Sequence, residues 1–185
     1  MAGFPLYQGV MAVGKVPVSD SLDTVIGANK GRLLLMAADG VGNALNMGAL
    51  ARNCAAFGVR GLIAGETCCS PFLRRAVAAS AGTIFHLPSW EATSLIDTLK
   101  FLREHGIRCI AAHPHTGGRI LSQADFSGDS CIVMGSEANG ISPAVLAQCD
   151  DAVAIPMPPE VDSLNISSAA AVFLYEASRQ RNISR

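Results

Sequence analysis

Apolar residues in this chain fall into short continuous runs separated by stretches with helical spacing. The strand-like runs are Leu33–Ala38, Gly61–Ala64, Thr83–Leu87, Arg108–Ala112, Cys131–Gly135 and Ala152–Ile155. Between the first two, Met47, Leu50, Cys54 and Phe57 recur at three- and four-residue intervals and predict a helix with one apolar stripe. Leu95, Leu99 and Leu102 predict another, which Gly106 stops as a C′ residue. Runs that are apolar throughout and alternate with helices predict a parallel sheet covered on both faces. The first 30 residues, with Gly3, Pro5, Gly9, Gly14, Pro17 and Gly27, read as an irregular lead-in or the remnant of an interdomain linker. Residues 31–185 then form one doubly wound, Rossmann-like α/β domain. There is no internal repeat or low-complexity tract.

In such sheets ligands bind beyond the carboxyl ends of the strands. The loops expected there are Asp39–Asn46, Ala112–Arg119, Gly135–Ile141 and Pro156–Leu164. Composition narrows the ligand classes. At 185 residues, 50% hydrophobic and 16% charged, the chain can bury one core and is not of disordered type. No apolar run reaches the roughly 18 residues of a membrane span, and Met1 to Tyr7 lack the features of a signal peptide. The six cysteines have no C-x-x-C spacing, so reduced thiols in a cytoplasm are expected and zinc is not. A net charge of −1 means that any phosphate contact rests on local arginines and not on a global field.

Three constellations carry the chemistry. The first is Asn43-Ala44-Leu45-Asn46-Met47-Gly48, continuing to Arg52. Asn46 is of a type that caps helices, and Gly48 and Arg52 stand one turn apart, so the glycine is expected to clear space beside the guanidinium. An arginine in the first turns of a helix is badly placed for the dipole. Arg52 therefore either meets an anion or pairs with a nearby carboxylate. Gly40-Val41-Gly42 mimics the start of a dinucleotide fingerprint, but Leu45 fills the third glycine position and is expected to crowd helix against strand. No acidic residue ends the run 61–64 at the required distance, which also counts against a dinucleotide site. The second constellation is Gly135-Ser136-Glu137-Ala138-Asn139-Gly140, where glycines would let a ligand lie against bare backbone and Glu137 is the only charge. The third is Ile155 to Glu176, where a proline-rich turn leads to Ser163-Leu164-Asn165 and a helix of small residues. Plain helix capping by Ser163 or Asn165 accounts for that pattern as well as a ligand does.

Together these segments resemble the SpoU (TrmH-like) family of the SPOUT superfamily, knotted RNA 2′-O-ribose methyltransferases that use S-adenosylmethionine. The family patterns are Asp-Pro-x-Asn-x-Gly-x-x-x-Arg, met here by Asn46, Gly48 and Arg52 with Asn43-Ala44 in place of Asp-Pro; Gly-x-Glu-x-x-Gly, met by Gly135, Glu137 and Gly140; and the Ser163-Leu164-Asn165 opening. The resemblance covers some 145 residues. It implies a C-terminal trefoil knot, a homodimer whose sites are completed by the partner subunit, and S-adenosylmethionine held by His113, Gly135, Glu137, Ile155, Met157, Ser163 and Leu164. It implies Asn46, Arg52, Glu137 and Asn165 as catalytic residues, with no metal. A guanidinium stays charged at ordinary pH, so Arg52 is expected to clamp a phosphate and stabilise a developing alkoxide, not to take a proton. Because the 2′-hydroxyl distinguishes RNA from DNA, DNA is not an expected substrate. Tyr7-Gln8-Gly9-Val10 resembles a His-Gln-Gly segment that in two-domain members follows an RNA-binding domain. That favours ribosomal over transfer RNA, and the chain reads either as a minimal enzyme or, preferably, as a catalytic fragment. The competing readings are a cofactor- or RNA-binding scaffold without activity and a methyltransferase acting on a base nitrogen. His113-Pro114-His115 reads as a polar loop, and the tail arginines Arg179, Arg181 and Arg185 as helix C-terminal charges.

Overall fold

A computed structural model of the chain describes residues 13–29, 33–114 and 119–181. The Tyr7–Val10 segment, His115 and Arg185 lie outside these residues. Seven strands form one sheet in the order β3-β2-β1-β6-β4-β7-β5, and every pairing is parallel. They are β1 (Leu34–Asp39), β2 (Gly61–Ala64), β3 (Ser89–Glu91), β4 (Arg108–Ala112), β5 (Arg119–Ile120), β6 (Ser130–Gly135) and β7 (Asp151–Ala154).

Central strands are apolar on both sides because helices cover both faces. Leu34, Met36 and Ala38 of β1 face a core built with α2 (Ala44–Ala56) and α6 (Ile166–Gln180), where Leu50, Cys54, Phe173 and Leu174 are buried. Leu35 and Ala37 face the other core, filled by Leu95, Leu99 and Leu102 of α4 (Leu95–Glu104) and Val145 of α5 (Pro143–Leu146). Burying these side chains stabilises the sheet by about 1.5–3 kcal/mol each for the larger ones.

Five of the six expected strand runs are strands to within one residue at each end. Thr83–Leu87 is not one. Its residues Thr83–His86 form a short 3-10 helix, and only Ile84 among them is buried. The chain has already turned at Ala81 (φ 51°), and the Thr83 hydroxyl donates to the Ser80 carbonyl at 2.7 Å, which winds the segment instead of extending it. The edge strand forms three residues later as β3. The lead-in is not wholly irregular either. Helix α1 (Leu22–Ala28) starts at Ser21, whose Oγ accepts from the Thr24 amide at 3.2 Å, and buries Val25 and Ile26 in the second core. The Trp90 indole donates to the Asp20 carbonyl at 2.9 Å and ties this segment to the sheet edge.

Candidate functional site

At the carboxyl ends of β4, β6 and β7 the following turns enclose a cavity of about 370 Å³, within the usual size range of small-molecule sites. The turn after β6 supplies Gly135 and Glu137, the turn after β4 supplies His113, and the segment after β7 supplies Ile155, Met157, Ser163 and Leu164. All seven positions expected to hold the cofactor therefore line one cavity. Its apolar floor comes from the strand ends themselves, Ala112, Met134 and Val153, and from Ile166.

The turn after β6 is closed on itself. The Ser136 amide donates to the Gly140 carbonyl at 3.1 Å, and the Gly140 amide to the Ser136 carbonyl at 2.9 Å. A Cβ on Gly135 would lie less than 3.0 Å from backbone atoms of Gly140 and Ile141. The glycine is thus also required by the turn's own backbone folding back, while its backbone lines the cavity. The turn is also anchored from below: the Ser142 amide donates to the buried Asp39 carboxylate at 2.7 Å.

Three of the four expected catalytic side chains meet at the lip of the cavity. Asn165 caps α6, with Oδ1 accepting from the Ser167 amide at 3.0 Å and the Ser167 hydroxyl at 2.6 Å. Its Nδ2 is thereby turned outward, 3.2 Å from Glu137 Oε1 and 3.3 Å from Asn46 Oδ1. Asn46 Nδ2 donates to the same Glu137 oxygen. One carboxylate oxygen holds two amides in fixed orientation, which joins the first turn of α2, the β6 turn and the start of α6. Asn53 reinforces the junction through Nδ2 to the Ser167 carbonyl at 2.6 Å. That contact was missed because a second asparagine on the helix carries no pattern of its own.

Arg52 is not part of this cluster. Helix α2 begins at Ala44 with Asn43 as its cap, Oδ1 accepting from the Leu45 amide at 2.9 Å. Asn46 is therefore a first-turn residue, not the cap. Arg52 falls in the second half of the helix, roughly 9 Å along the axis from Asn46 at 1.5 Å per residue. The dipole argument for an anion at Arg52 fails with that placement. The Arg52 side chain is exposed, and among the described residues it has no hydrogen-bond or ion-pair partner. Gly48 serves a different neighbour from the one expected: a Cβ there would stand 2.7 Å from Ala79 Cβ and crowd the Ala76 backbone of α3 (Arg74–Ala79).

The dinucleotide fingerprint also reads differently in three dimensions. Leu45 is 53% exposed and crowds nothing. An acidic residue, Glu66, does follow β2, contrary to expectation. Its Oε2 accepts from the Leu95 amide at 2.8 Å and so caps α4 instead of meeting a ribose.

A parallel α/β sheet with a cavity over its strand ends and a carboxylate–diamide cluster at the rim defines a small-molecule-binding protein of the doubly wound class. Within that class the chain belongs to the SpoU rRNA Methylase family, whose model matches residues 33–175. It is similar to the 23S rRNA (guanosine-2′-O-)-methyltransferase RlmB of Acinetobacter baylyi, 35% identical over 98% of this chain and 74% of that protein. An uncharacterized tRNA/rRNA methyltransferase of Mycolicibacterium paratuberculosis is 36% identical over 98% of this chain, which spans only 59% of that relative. Among solved structures, the SpoU methyltransferase AviRb of Streptomyces viridochromogenes in complex with AdoMet superimposes with a TM-score of 0.79 at 31% identity, covering 91% of this chain and 64% of that one.

Proposed function

We propose that this chain transfers a methyl group from S-adenosylmethionine to a ribose 2′-hydroxyl of RNA, with ribosomal RNA favoured over transfer RNA. The observation that carries the reading is the Asn46–Glu137–Asn165 cluster at the rim of a cavity lined by His113, Gly135, Ile155, Met157, Ser163 and Leu164. Similarity to a 23S rRNA guanosine-2′-O-methyltransferase supports the ribose and the ribosomal target.

The cavity suits the cofactor's chemistry. Ile155, Met157 and Leu164 offer apolar walls for a purine and a thioether, while the turns offer backbone groups for its polar edges. When bound, S-adenosylmethionine supplies a methyl group already activated by its sulfonium. What remains for the protein is alignment and help in easing a proton from a weakly acidic hydroxyl. Glu137 Oε1 is occupied by the two amides, which leaves Oε2 to accept the hydrogen bond of the 2′-hydroxyl. The two asparagines hold that carboxylate still, so its geometry is set before the nucleotide arrives. Arg52, on the outward side of α2, serves the RNA through a phosphate and not through the cluster.

The homodimer and the knot belong to the same proposal. Val172 and Tyr175 lie one turn apart on the outward face of α6, and Tyr175 is 61% exposed, a surface suited to a second copy. Asn165 at the head of α6 meets Glu137 of the β6 turn, and α6 packs beside α2, contacts that support a knotted C-terminus. Free thiols at all six cysteines fit a cytoplasmic enzyme.

Calorimetric titration with S-adenosylmethionine tests the site, with Leu164→Arg as the blocked control. Saturable heat that disappears in the control supports the reading. No heat from a folded protein overturns it and favours the inactive-scaffold alternative. Mass analysis of methylated oligoribonucleotide against its deoxy counterpart tests the ribose assignment.

A further inference from the structure

The chain's near-zero net charge conceals an asymmetry. Residues 40–90 carry four of the 14 Lys and Arg but one of the 15 Asp and Glu, a balance of +3 in a chain whose whole balance is −1. Elsewhere among the described residues Lys100, Arg103, Arg108, Arg119 and Arg179 each pair with a carboxylate. Among the described residues Arg52, Arg60 and Arg75 pair with none. Arg52 and Arg75 lie on packed neighbours, since Gly48 one turn before Arg52 meets Ala76 and Ala79 of α3.

The same face exposes an aromatic ring. Phe72 and Phe85 have centroids 6.4 Å apart with planes tilted by 36°, Phe85 is 48% exposed, and Leu73 beside them is 47% exposed. Phe72 is half-buried against the core, so it fixes the exposed Phe85 ring in place, with Leu73 exposed beside it among unpaired arginines. The patch is also joined to the proposed site. The loop leading to Phe72 is stitched to the β1 turn by the Cys69 amide to the Val41 carbonyl at 3.0 Å and by Cys68 Sγ to the Ala38 carbonyl at 3.2 Å. In that turn Gly40 lies against both Thr67 and Ser136, next to Glu137.

We propose that this face, made by α3, the 83–86 helical turn and the outward side of α2, binds single-stranded RNA flanking the modified nucleotide. The inference rests on the methyltransferase reading for the identity of the strand. Phe85, backed by Phe72, stacks an unpaired base, and Arg75 and Arg52 meet phosphates along the strand. Aromatic rings interleaved with unpaired cations are the chemistry that single strands require, because every base offers a π-face and every linkage a charge. The dimer surface proposed on α6 does not compete, because α6 and α3 pack against opposite flanks of α2.

The test uses fluorescence anisotropy of a labelled, mixed-sequence single-stranded RNA of about 20 nucleotides, measured across a salt series. Phe85→Ala is expected to weaken binding on the order of tenfold. Arg75→Ala is expected to lower the slope of log affinity against log salt by about 0.7, one phosphate contact on a single strand. Both variants should bind S-adenosylmethionine like the parent chain, which also certifies their folding. Failure of the parent chain to bind this RNA overturns the proposal, as do unchanged affinity and slope in both variants. A change in sedimentation without a change in RNA affinity overturns it too and makes the patch a protein interface. Absence of cofactor heat with RNA binding intact strikes the methyltransferase reading and leaves this surface standing.

Discussion

Replacing Gly135 with alanine isolates the turn that carries Glu137. The added Cβ would lie less than 3.0 Å from three backbone atoms, Gly140 C, Gly140 O and Ile141 N, whereas ordinary van der Waals contact starts at 3.4 Å. No rotamer relieves this, because neither partner is a side chain; the 136–140 turn itself must move by several tenths of an ångström or more. That motion strains two hydrogen bonds, from the Ser136 amide at 3.1 Å and the Gly140 amide at 2.9 Å. At about 1 kcal/mol net apiece their loss costs about 2 kcal/mol, which agrees with the 1–3 kcal/mol typical of overpacking. For a chain of this size the melting temperature should fall by roughly 4–8 °C. The functional cost should be larger. Glu137 rides on the turn, and a displacement of about 1 Å at a reacting group costs about a hundredfold in rate. Scanning fluorimetry reads the first effect and methyl transfer to RNA the second. Gly128→Ala is the matched control, since a Cβ there meets nothing within 4 Å. A Gly135→Ala protein that melts within a degree of the parent and keeps its turnover would refute the closed-turn account of Glu137.

Gly48→Ala presses a Cβ into the Ala76 backbone and should destabilise the fold by about 1–3 kcal/mol or more, read as a drop in melting temperature with the cofactor site's heat retained. Arg52→Lys keeps the charge but loses the forked donors, so RNA affinity should fall while cofactor affinity holds; unchanged RNA affinity would remove the phosphate clamp. Burial pushes every one of the six thiols up, Cys109 and Cys149 to about 12 and the interior Cys131 well above its usual range. Thiolate, the reactive form, is therefore scarce near pH 8, and a disulfide reagent should label the native protein slowly and all six sites quickly in denaturant. Rapid labelling of Cys109 or Cys149 without denaturant would contradict the packing around them.

What the chain discloses by itself follows from the range of the interactions involved. The central strands were legible because burial on both faces leaves an apolar run that no surface segment would tolerate, as in Leu34–Ala38. The cavity followed from strand direction, since all its turns lie at one end of a parallel sheet. Asn43 and Asn46 show where such reading stops. Both are of capping type, and the choice between them is made by the Glu137 turn, some 90 residues away, which takes the amide of Asn46 and leaves the cap to Asn43. Moving the cap by three residues is what turned Arg52 from a first-turn arginine into one on an open helix face. The glycines carry the same lesson. Gly48 looked like a space left for a guanidinium but is filled by α3, and Gly135, which does line the cavity, is needed as well by backbone of its own turn. Sequence declares that a side chain is missing and is silent on what occupies its place. Arg75 and Phe85 are the converse case: they had no pattern in the sequence, and only the packing of α3 on Gly48 brings them onto one face with Arg52. A closely packed glycine at that position is thus what assembles the proposed RNA surface, so Gly48→Ala should weaken RNA binding as well as the fold.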